Sequence, residues 1–146
     1  VYTLLLIFFV YIFPGMIFQT FISIIGFVVS LLLSIYLSYC IYFIMVCFAF
    51  WFGEVRSIVV AYNVGMLMIS GQYIPIRLFP DEVLAIIKWT PIPYLVDLPV
   101  SIASGIIPTN EWISNMSISC AWCLILTMIS FIIYKIGIKG YEAYGQ

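Results

Sequence analysis

Apolar residues fill the chain in long blocks, and the polar residues are gathered into a few short breaks. The first 53 residues contain no Asp, Glu, Lys or Arg. A membrane-spanning helix needs about 20 apolar residues, each rising ~1.5 Å. One helix over that whole block would be roughly 80 Å long, more than twice the ~30 Å hydrocarbon core of a bilayer. The block therefore predicts at least two spans.

The polar breaks place four predicted spans. Pro14-Gly15 divides the first block, because proline removes a backbone donor and glycine permits a turn. Gly53-Glu54-Val55-Arg56 forms the next turn, and the last uncharged block ends at Lys135 and Lys139. The predicted spans cover about residues 1–13, 19–52, 58–74 and 112–134, followed by a tail over 135–146.

Residues 75–111 are too interrupted to span a membrane and too apolar for an ordinary loop. Pro80-Asp81-Glu82 indicates a helix start, with proline in the first turn and acids at the positive end of the helix dipole. Pro91 and Pro93 stop that helix, and a second short helix over 94–104 closes at Gly105. Amphipathic helices that lie at or dip into the membrane interface satisfy this pattern.

The composition indicates that lipid, not water, is the solvent for most of the surface. Hydrophobic residues make up 66% of the chain and charged residues 8%, against roughly 25% charged in soluble domains. The net charge of −1 gives no reason to expect nucleic acid. No basic stretch precedes the apolar block, so a signal peptide does not fit. We expect an all-α integral membrane protein, interpreted as a piece that lacks its N-terminal part because it begins at Val1.

The basic residues give a slight orientation bias. A cytoplasmic C-terminus places Arg56, Lys135 and Lys139 inside the cell, against Arg77 and Lys88 outside. Cytoplasmic loops carry an excess of Lys and Arg, so this orientation is the one we expect.

No group of residues in the sequence indicates catalysis. Histidine is absent, which removes the usual general base and the commonest metal ligand. No phosphate-binding glycine loop is present, so the chain is not expected to bind and split ATP. Cys120 and Cys123 have a Cys-x-x-Cys spacing, but no second pair completes a zinc site, and buried cysteine is the simpler interpretation. We expect no enzyme activity, metal or cofactor in this chain.

Polar positions within the spans are the candidate functional residues. In the second span, small or weakly polar residues recur every three or four positions: Gln19, Ser23, Gly26, Ser30 and Ser34. Such a face packs helices together in membranes, or part of it lines a route for an amphipathic substrate. In both cases it faces protein or a cavity, not lipid. A similar stripe in the fourth span contains Cys120, Cys123, Thr127, Ser130 and Tyr134.

Two further polar residues lie in apolar surroundings. Asn63 is deep in the third span with Ser70 on the same face, and an amide there needs an interhelical partner or contacts substrate. A carboxylate such as Asp97 at bilayer depth would cost about 2.5–3.5 kcal/mol. Asp97 therefore faces water at the interface, or it acts at an external gate or pairs with Arg77 or Lys88.

The stretch "SGQYIPIRLFPDEVLAIIKWTPIPYLVDLPVSIASG" resembles permease subunits of type-2 ATP-binding-cassette (ABC) exporters, most closely the bacterial subfamily of short six-span permeases. The matching positions are Gly71, Pro75, Phe79, Pro80, Pro91, Tyr94, Pro99 and Gly105. The ending "KGYEAYGQ" is similar to the cytoplasmic C-terminus of that subfamily through Tyr141, Glu142, Tyr144 and Gly145. The motifs cover residues 53–146, and the first 52 residues agree only as apolar spans.

The resemblance implies spans three to six of a permease in the bacterial inner membrane, working in export (efflux). It implies a homo- or heterodimer with a second permease subunit, in contact with lipid, and a separate ABC ATPase that carries the ATP and Mg. Residues 75–111 would cap the translocation pathway, with a lid at Gly71, Pro75, Pro80, Pro91, Asp97 and Pro99. The candidate pathway residues are Gln19, Ser23, Ser30, Ser34, Asn63 and Ser70.

Two other classes of protein remain to be weighed. A non-transporting membrane assembly protein would use the polar stripes for helix packing alone. An ion-coupled secondary transporter would require ionisable groups within its spans, and the predicted spans contain no Asp, Glu, Lys, Arg or His.

Overall fold

The computed structural model describes residues 21–69, 78 and 80–143, and these residues are helical with no strand among them. The predicted all-α class is confirmed for this part of the chain. The predicted span over 1–13 and the last residues of the span over 58–74 lie outside the described residues. The helices are α1 Phe21–Cys47, α2 Ala49–Phe52, α3 Arg56–Ile69, α4 Asp81–Ile87, α5 Ile92–Leu95, α6 Asp97–Ala103 and α7 Thr109–Ala143.

Two helical rods of the described chain are long and apolar enough to cross a membrane. They are Ile22–Phe52 and Thr109–Lys139, of 31 residues each, or about 46 Å at the α-helical rise. The bilayer core offers no water to backbone N–H and C=O groups, so a spanning segment satisfies them within a helix. Many of the side chains that these rods expose, such as Leu32, Leu124 and Met128, are apolar. Both rods are therefore candidate membrane spans.

The first rod ends at a glycine. Gly53 has φ +70° and donates its N–H to the Ala49 carbonyl at 3.0 Å. This left-handed conformation is easily reached only without a Cβ. The polar turn predicted over 53–56 is therefore present, and α3 starts at Arg56.

The two rods pack side by side and run in the same direction. Near the start of α1, Gly26 lies against the ring of Trp112 at the start of α7. Near the other end, Phe50 in α2 lies against Gly137. Because residue numbers rise together along both helices, the chain between residues 53 and 108 must return across the full length of the rods.

The return begins with α3, which runs antiparallel to α1. Tyr42 of α1 donates a hydrogen bond to Oδ1 of Asn63 in α3. Ser38, one turn before Tyr42 in α1, and Leu67, one turn after Asn63 in α3, line the same cavity. Residue numbers therefore fall along α1 as they rise along α3. In the described chain, the 14 residues of α3 thus turn back alongside α1. The third span and the total of four spans stay predictions.

Helices α5 and α6 pack against α1, dipping from one end of the rods toward their middle. The buried residues of these helices are Tyr94, Leu95, Leu98, Pro99, Ser101 and Ile102. Leu95 packs at Ser34, near the middle of α1, while Ile102 packs at Gly26. Eight residues of α1 separate these levels, or about 12 Å. The dipping backbone is shielded by protein, which is the condition under which a broken helix is tolerated at membrane depth.

The structure corrects one predicted element. The single helix expected over 94–104 is split into α5 and α6 at Val96, which has φ −133° and ψ −49°. Proline is the reason: Pro99 has no N–H to offer the carbonyl of Leu95, four residues earlier. The last helix continues to Ala143, so residues 135–143 of the expected tail are helical, and the end of the span at residue 134 stays a prediction.

Candidate functional site

The polar stripe of the second predicted span is buried against protein. Ser23, Ser30 and Ser34 are 5%, 0% and 6% exposed. They lie on the side of α1 that meets α5, α6 and α7, which is the protein-facing placement that both interpretations of the stripe require. Gln19 lies outside the described residues.

Two of these serines donate hydrogen bonds within the protein. Ser30 Oγ donates to the Phe27 carbonyl of its own helix at 2.9 Å. Ser34 Oγ donates to the carbonyl of Leu95, the group that Pro99 leaves without a helical donor. Ser34 therefore secures the break between α5 and α6. A role for these serines in a substrate pathway stays a prediction.

Gly26 is required by the close approach of α7. A Cβ built at this position would lie 2.7 Å from Cζ3 of Trp112, too near for any real contact. The indole is held in place because its Nε1–H donates to the Ile107 carbonyl at 3.0 Å. Small residues at such crossings let membrane helices approach closely.

The described prolines of the predicted lid stand at helix starts. Pro80 and Pro91 immediately precede α4 and α5, and Pro99 is in the first turn of α6. Proline is tolerated there because the first N–H groups of a helix have no partner within it. Gly71 and Pro75 lie outside the described residues. The lid function of all these residues stays a prediction.

Asp97 lies in the first turn of α6 and is half-buried. It lines a cavity of about 310 Å³ together with Lys88 and Asn115. The structure thus brings Asp97 and Lys88 to one cavity, as one sequence interpretation proposed, and Arg77 lies outside the described residues.

Asn63 faces a second cavity, of about 270 Å³, which is open at the surface and lined by α1, α3 and the α5–α6 break. We call it the polar cavity. Its lining residues are Ser38, Tyr42, Tyr62, Asn63, Met66, Leu67, Leu95 and Val96. Three hydroxyl groups and one amide are present, with no charged side chain among these residues. The Asn63 amide has the interhelical partner that the sequence predicted, because the Tyr42 hydroxyl donates to its Oδ1.

Sequence reasoning missed Ser38 and Tyr42, although the four-residue spacing from Ser30 and Ser34 continues through both. Each step of four residues rotates the side chain by about 40° around a helix of 3.6 residues per turn. Two steps carry the series away from the buried face of α1 and onto the side that meets α3. The same spacing therefore serves packing at Ser34 and a cavity at Tyr42.

A third cavity, of about 420 Å³, adjoins the polar cavity, and we call it the apolar cavity. Its lining residues are Ile41, Tyr62, Gly65, Met66, Ile69, Thr90, Pro91, Ile92 and Leu95. Tyr62, Met66 and Leu95 are shared walls of both cavities. An uncharged polar space thus opens beside an apolar one.

Comparison with protein families finds a match to the family described as ABC-2 family transporter protein, over residues 1–145. The chain belongs to the ABC-2 transporter family. The resemblance found in the proline motifs is thereby confirmed, and membership makes the protein a component of membrane transport. Searches of curated proteins and of solved structures found no match.

The packing of the rods places three basic residues of this ABC-2 transporter at the same end. Phe50 contacts Gly137, so Arg56 lies at the same end of the rods as Lys135 and Lys139. Lys135 also stands over the ring of Phe131, with Nζ 4.4 Å from its centroid. The three basic residues expected on the cytoplasmic side therefore lie at one end of the rods, and their cytoplasmic location stays a prediction.

The fourth-span stripe of the ABC-2 transporter is used in packing at its centre. Thr127 Oγ1 donates to the Cys123 carbonyl at 2.6 Å and lies 2.9 Å from the Tyr36 hydroxyl of α1. Cys123 is buried and Cys120 is exposed. In the part of the chain that the structure describes, no three Cys, Asp or Glu side chains converge on a point where a metal would bind.

Proposed function

We propose that the chain is a transmembrane permease subunit of an ABC exporter, and that it forms a translocation pathway driven by a separate ATP-binding subunit. The family match over residues 1–145 carries this proposal. The chain has no phosphate-binding loop, so ATP and Mg are assigned to the partner. A second permease subunit, a location in the inner membrane and a cytoplasmic C-terminus belong to the same proposal.

The polar cavity is the part of the described chain best suited to a pathway. It lies between α1 and α3, the helices that carry Tyr42 and Asn63, and the dipping helices α5 and α6 close one side of it. Alternating access requires that the two states of a transporter bind nucleotide and substrate with different affinity. Movement of α5 and α6 relative to α1 would open and close this cavity.

The direct test is purification of the tagged full-length protein from its native membrane in mild detergent, with identification of the proteins that accompany it. We expect a stoichiometric soluble ATPase whose hydrolysis rate changes when the permease is present. A known exporter complex purified in parallel serves as the control. If that complex survives and no ATPase accompanies this protein, the exporter proposal is wrong.

A non-transporting assembly protein is the second candidate. It is favoured by the use of the Ser30 and Ser34 hydroxyls in packing. The replacement Asn63→Leu tests whether the polar cavity serves transport or only helix packing. We expect a loss of full-length transport with folding intact, while Tyr39→Phe, which lines a different cavity, leaves transport unchanged. Unaltered transport in Asn63→Leu would show that the amide is not a substrate contact.

A further inference from the structure

The polar and apolar cavities lie side by side. Tyr62, Met66 and Leu95 are walls of both, and a molecule that extends past these three side chains would occupy both spaces. Their volumes, about 270 and 420 Å³, place the combined space in the range of roughly 300–1,000 Å³ typical of small-molecule sites. We call this space the α1–α3 cleft.

The polar end of the cleft offers hydrogen bonds to a ligand. The Tyr42 hydroxyl donates a hydrogen bond to Oδ1 of Asn63. The nitrogen of the same side-chain amide carries two N–H donors. Within the described part of the chain, the structure places no acceptor at that nitrogen. Both residues are exposed in the described chain, and an unpaired amide at membrane depth is costly. A ligand hydroxyl or carbonyl oxygen would satisfy it.

The residues that line the α1–α3 cleft indicate an uncharged ligand. None of the described residues that line the α1–α3 cleft is Asp, Glu, Lys or Arg. An ionised head group placed there would lose its hydration without gaining a counter-charge, which costs far more than burying a hydroxyl group that finds a partner. The contrast is the cavity at Lys88 and Asp97, where both signs of charge are present.

The apolar end has room for a hydrocarbon chain. Ile41, Ile69 and Ile92 contribute aliphatic walls, and the flexible side chain of Met66 adapts to irregular shapes. At Gly65 an added Cβ would meet no atom within 4 Å, so α3 leaves open space beside the cleft. Since α1 is long and apolar enough to cross a membrane, a lipid-dissolved molecule would reach this space from the bilayer.

We propose that the α1–α3 cleft binds an uncharged amphiphile, with a hydroxyl- or carbonyl-bearing head at Tyr42 and Asn63 and an apolar chain against Met66 and Ile92. This inference rests on the proposed function in one respect: it names the substrate class of the pathway. The binding itself requires no ATPase.

The test uses the full-length protein in nanodiscs without nucleotide. The probe is a monoacylglycerol with a photoactivatable diazirine in its acyl chain, and labelled residues are located by mass spectrometry. We expect labelling of the cleft walls, with Met66 and Leu95 among them. Unlabelled monoolein should compete at least tenfold more effectively than lysophosphatidylglycerol, which has an acyl chain but an ionised head.

Variants assign the binding to the two ends. Tyr42→Phe and Asn63→Leu each remove hydrogen-bonding capacity at the polar end and should weaken competition by monoolein about fivefold. Gly65→Leu fills the apolar end and should abolish labelling. Tyr39→Phe is the matched control, because this exposed tyrosine of α1 lines a different cavity, at Thr127. Monodisperse elution of each variant confirms folding.

Equal competition by the charged lipid, labelling outside the cleft, or unchanged binding in the variants would overturn the proposal. Its failure is distinguishable from failure of the exporter proposal. An accompanying ATPase with label outside the cleft would retain the exporter and reject this substrate class. Cleft labelling without any ATPase would retain the binding site and reject the exporter.

Discussion

The hydrogen bond from Ser34 to Leu95 joins residues 61 positions apart in sequence, and its removal gives a sharp test of the fold. Ser34→Ala deletes the hydroxyl group and leaves the Leu95 carbonyl without a donor, because Pro99 has no N–H. Removing one partner of a buried hydrogen bond costs about 1–3 kcal/mol in soluble proteins. In membrane proteins the measured average is about 0.6 and the maximum about 1.7 kcal/mol.

We expect Ser34→Ala to lower the free energy of unfolding by about 1–1.5 kcal/mol, toward the upper part of the membrane range. Two features place it there. Ser34 is only 6% exposed, and the carbonyl lies at a break between helices where no backbone donor replaces the serine. A loss of this size changes the unfolding equilibrium constant about five- to thirteenfold.

The measurement is equilibrium unfolding of the purified full-length protein in mixed micelles, titrated with a denaturing detergent and followed by tryptophan fluorescence. Ser30→Ala is the matched control, because Ser30 is 0% exposed and its hydroxyl donates only to the Phe27 carbonyl of its own helix. That replacement should cost less than about 0.5 kcal/mol, because the local helix needs no side-chain donor. Equal effects of the two replacements would refute the assigned role of Ser34.

Two further predictions test the packing and the path of the chain. Gly26→Ala should destabilise the protein by about 1–3 kcal/mol, because the new Cβ overlaps the ring of Trp112. Gly65→Ala should be neutral or stabilising by up to about 1 kcal/mol, because it meets open space and alanine favours helix; similar unfolding midpoints for the two would contradict the close approach. In a cysteine-free background, Glu54→Cys and Glu111→Cys, both at exposed positions, should react with an impermeant thiol reagent from opposite sides of sealed vesicles. Labelling from the same side would show that α3 does not lead the chain back across the membrane.

Much of the helical framework was predictable because its signals are local. The polar turn at Gly53, the helix start at Pro80 and the helix end at Gly105 each follow from the conformation of one or two residues. The protein-facing side of α1 followed from the spacing of Ser30 and Ser34. Each of these features depends on residues that are neighbours in sequence, so periodicity and turn chemistry are sufficient to locate them.

The cleft was not predictable in the same way. Asn63 was identified from its polarity, but its partner Tyr42 lies 21 residues away, and aromatic residues are too common in this chain for one tyrosine to be noticed. Ser38 belongs to the spacing already recognised at Ser34, yet it faces a different neighbour. One series of polar residues on α1 thus has two roles, because Ser34 packs against α5 while Ser38 lines a cavity. Which residue takes which role depends on where α3 and α5 lie against α1.

The sequence by itself determined that this protein is helical and apolar enough for a membrane, and it located the breaks at Gly53, Pro80 and Gly105, because the bilayer makes backbone hydrogen bonding a local requirement. It also carried the proline and glycine pattern of the ABC-2 transporters. Only the tertiary structure decided that the rods α1–α2 and α7 run parallel, that α5 dips to the level of Ser34, and that Tyr42 meets Asn63. Those features come from side-chain packing between segments distant in sequence, where the shape of each contact, such as Trp112 on Gly26, selects the arrangement.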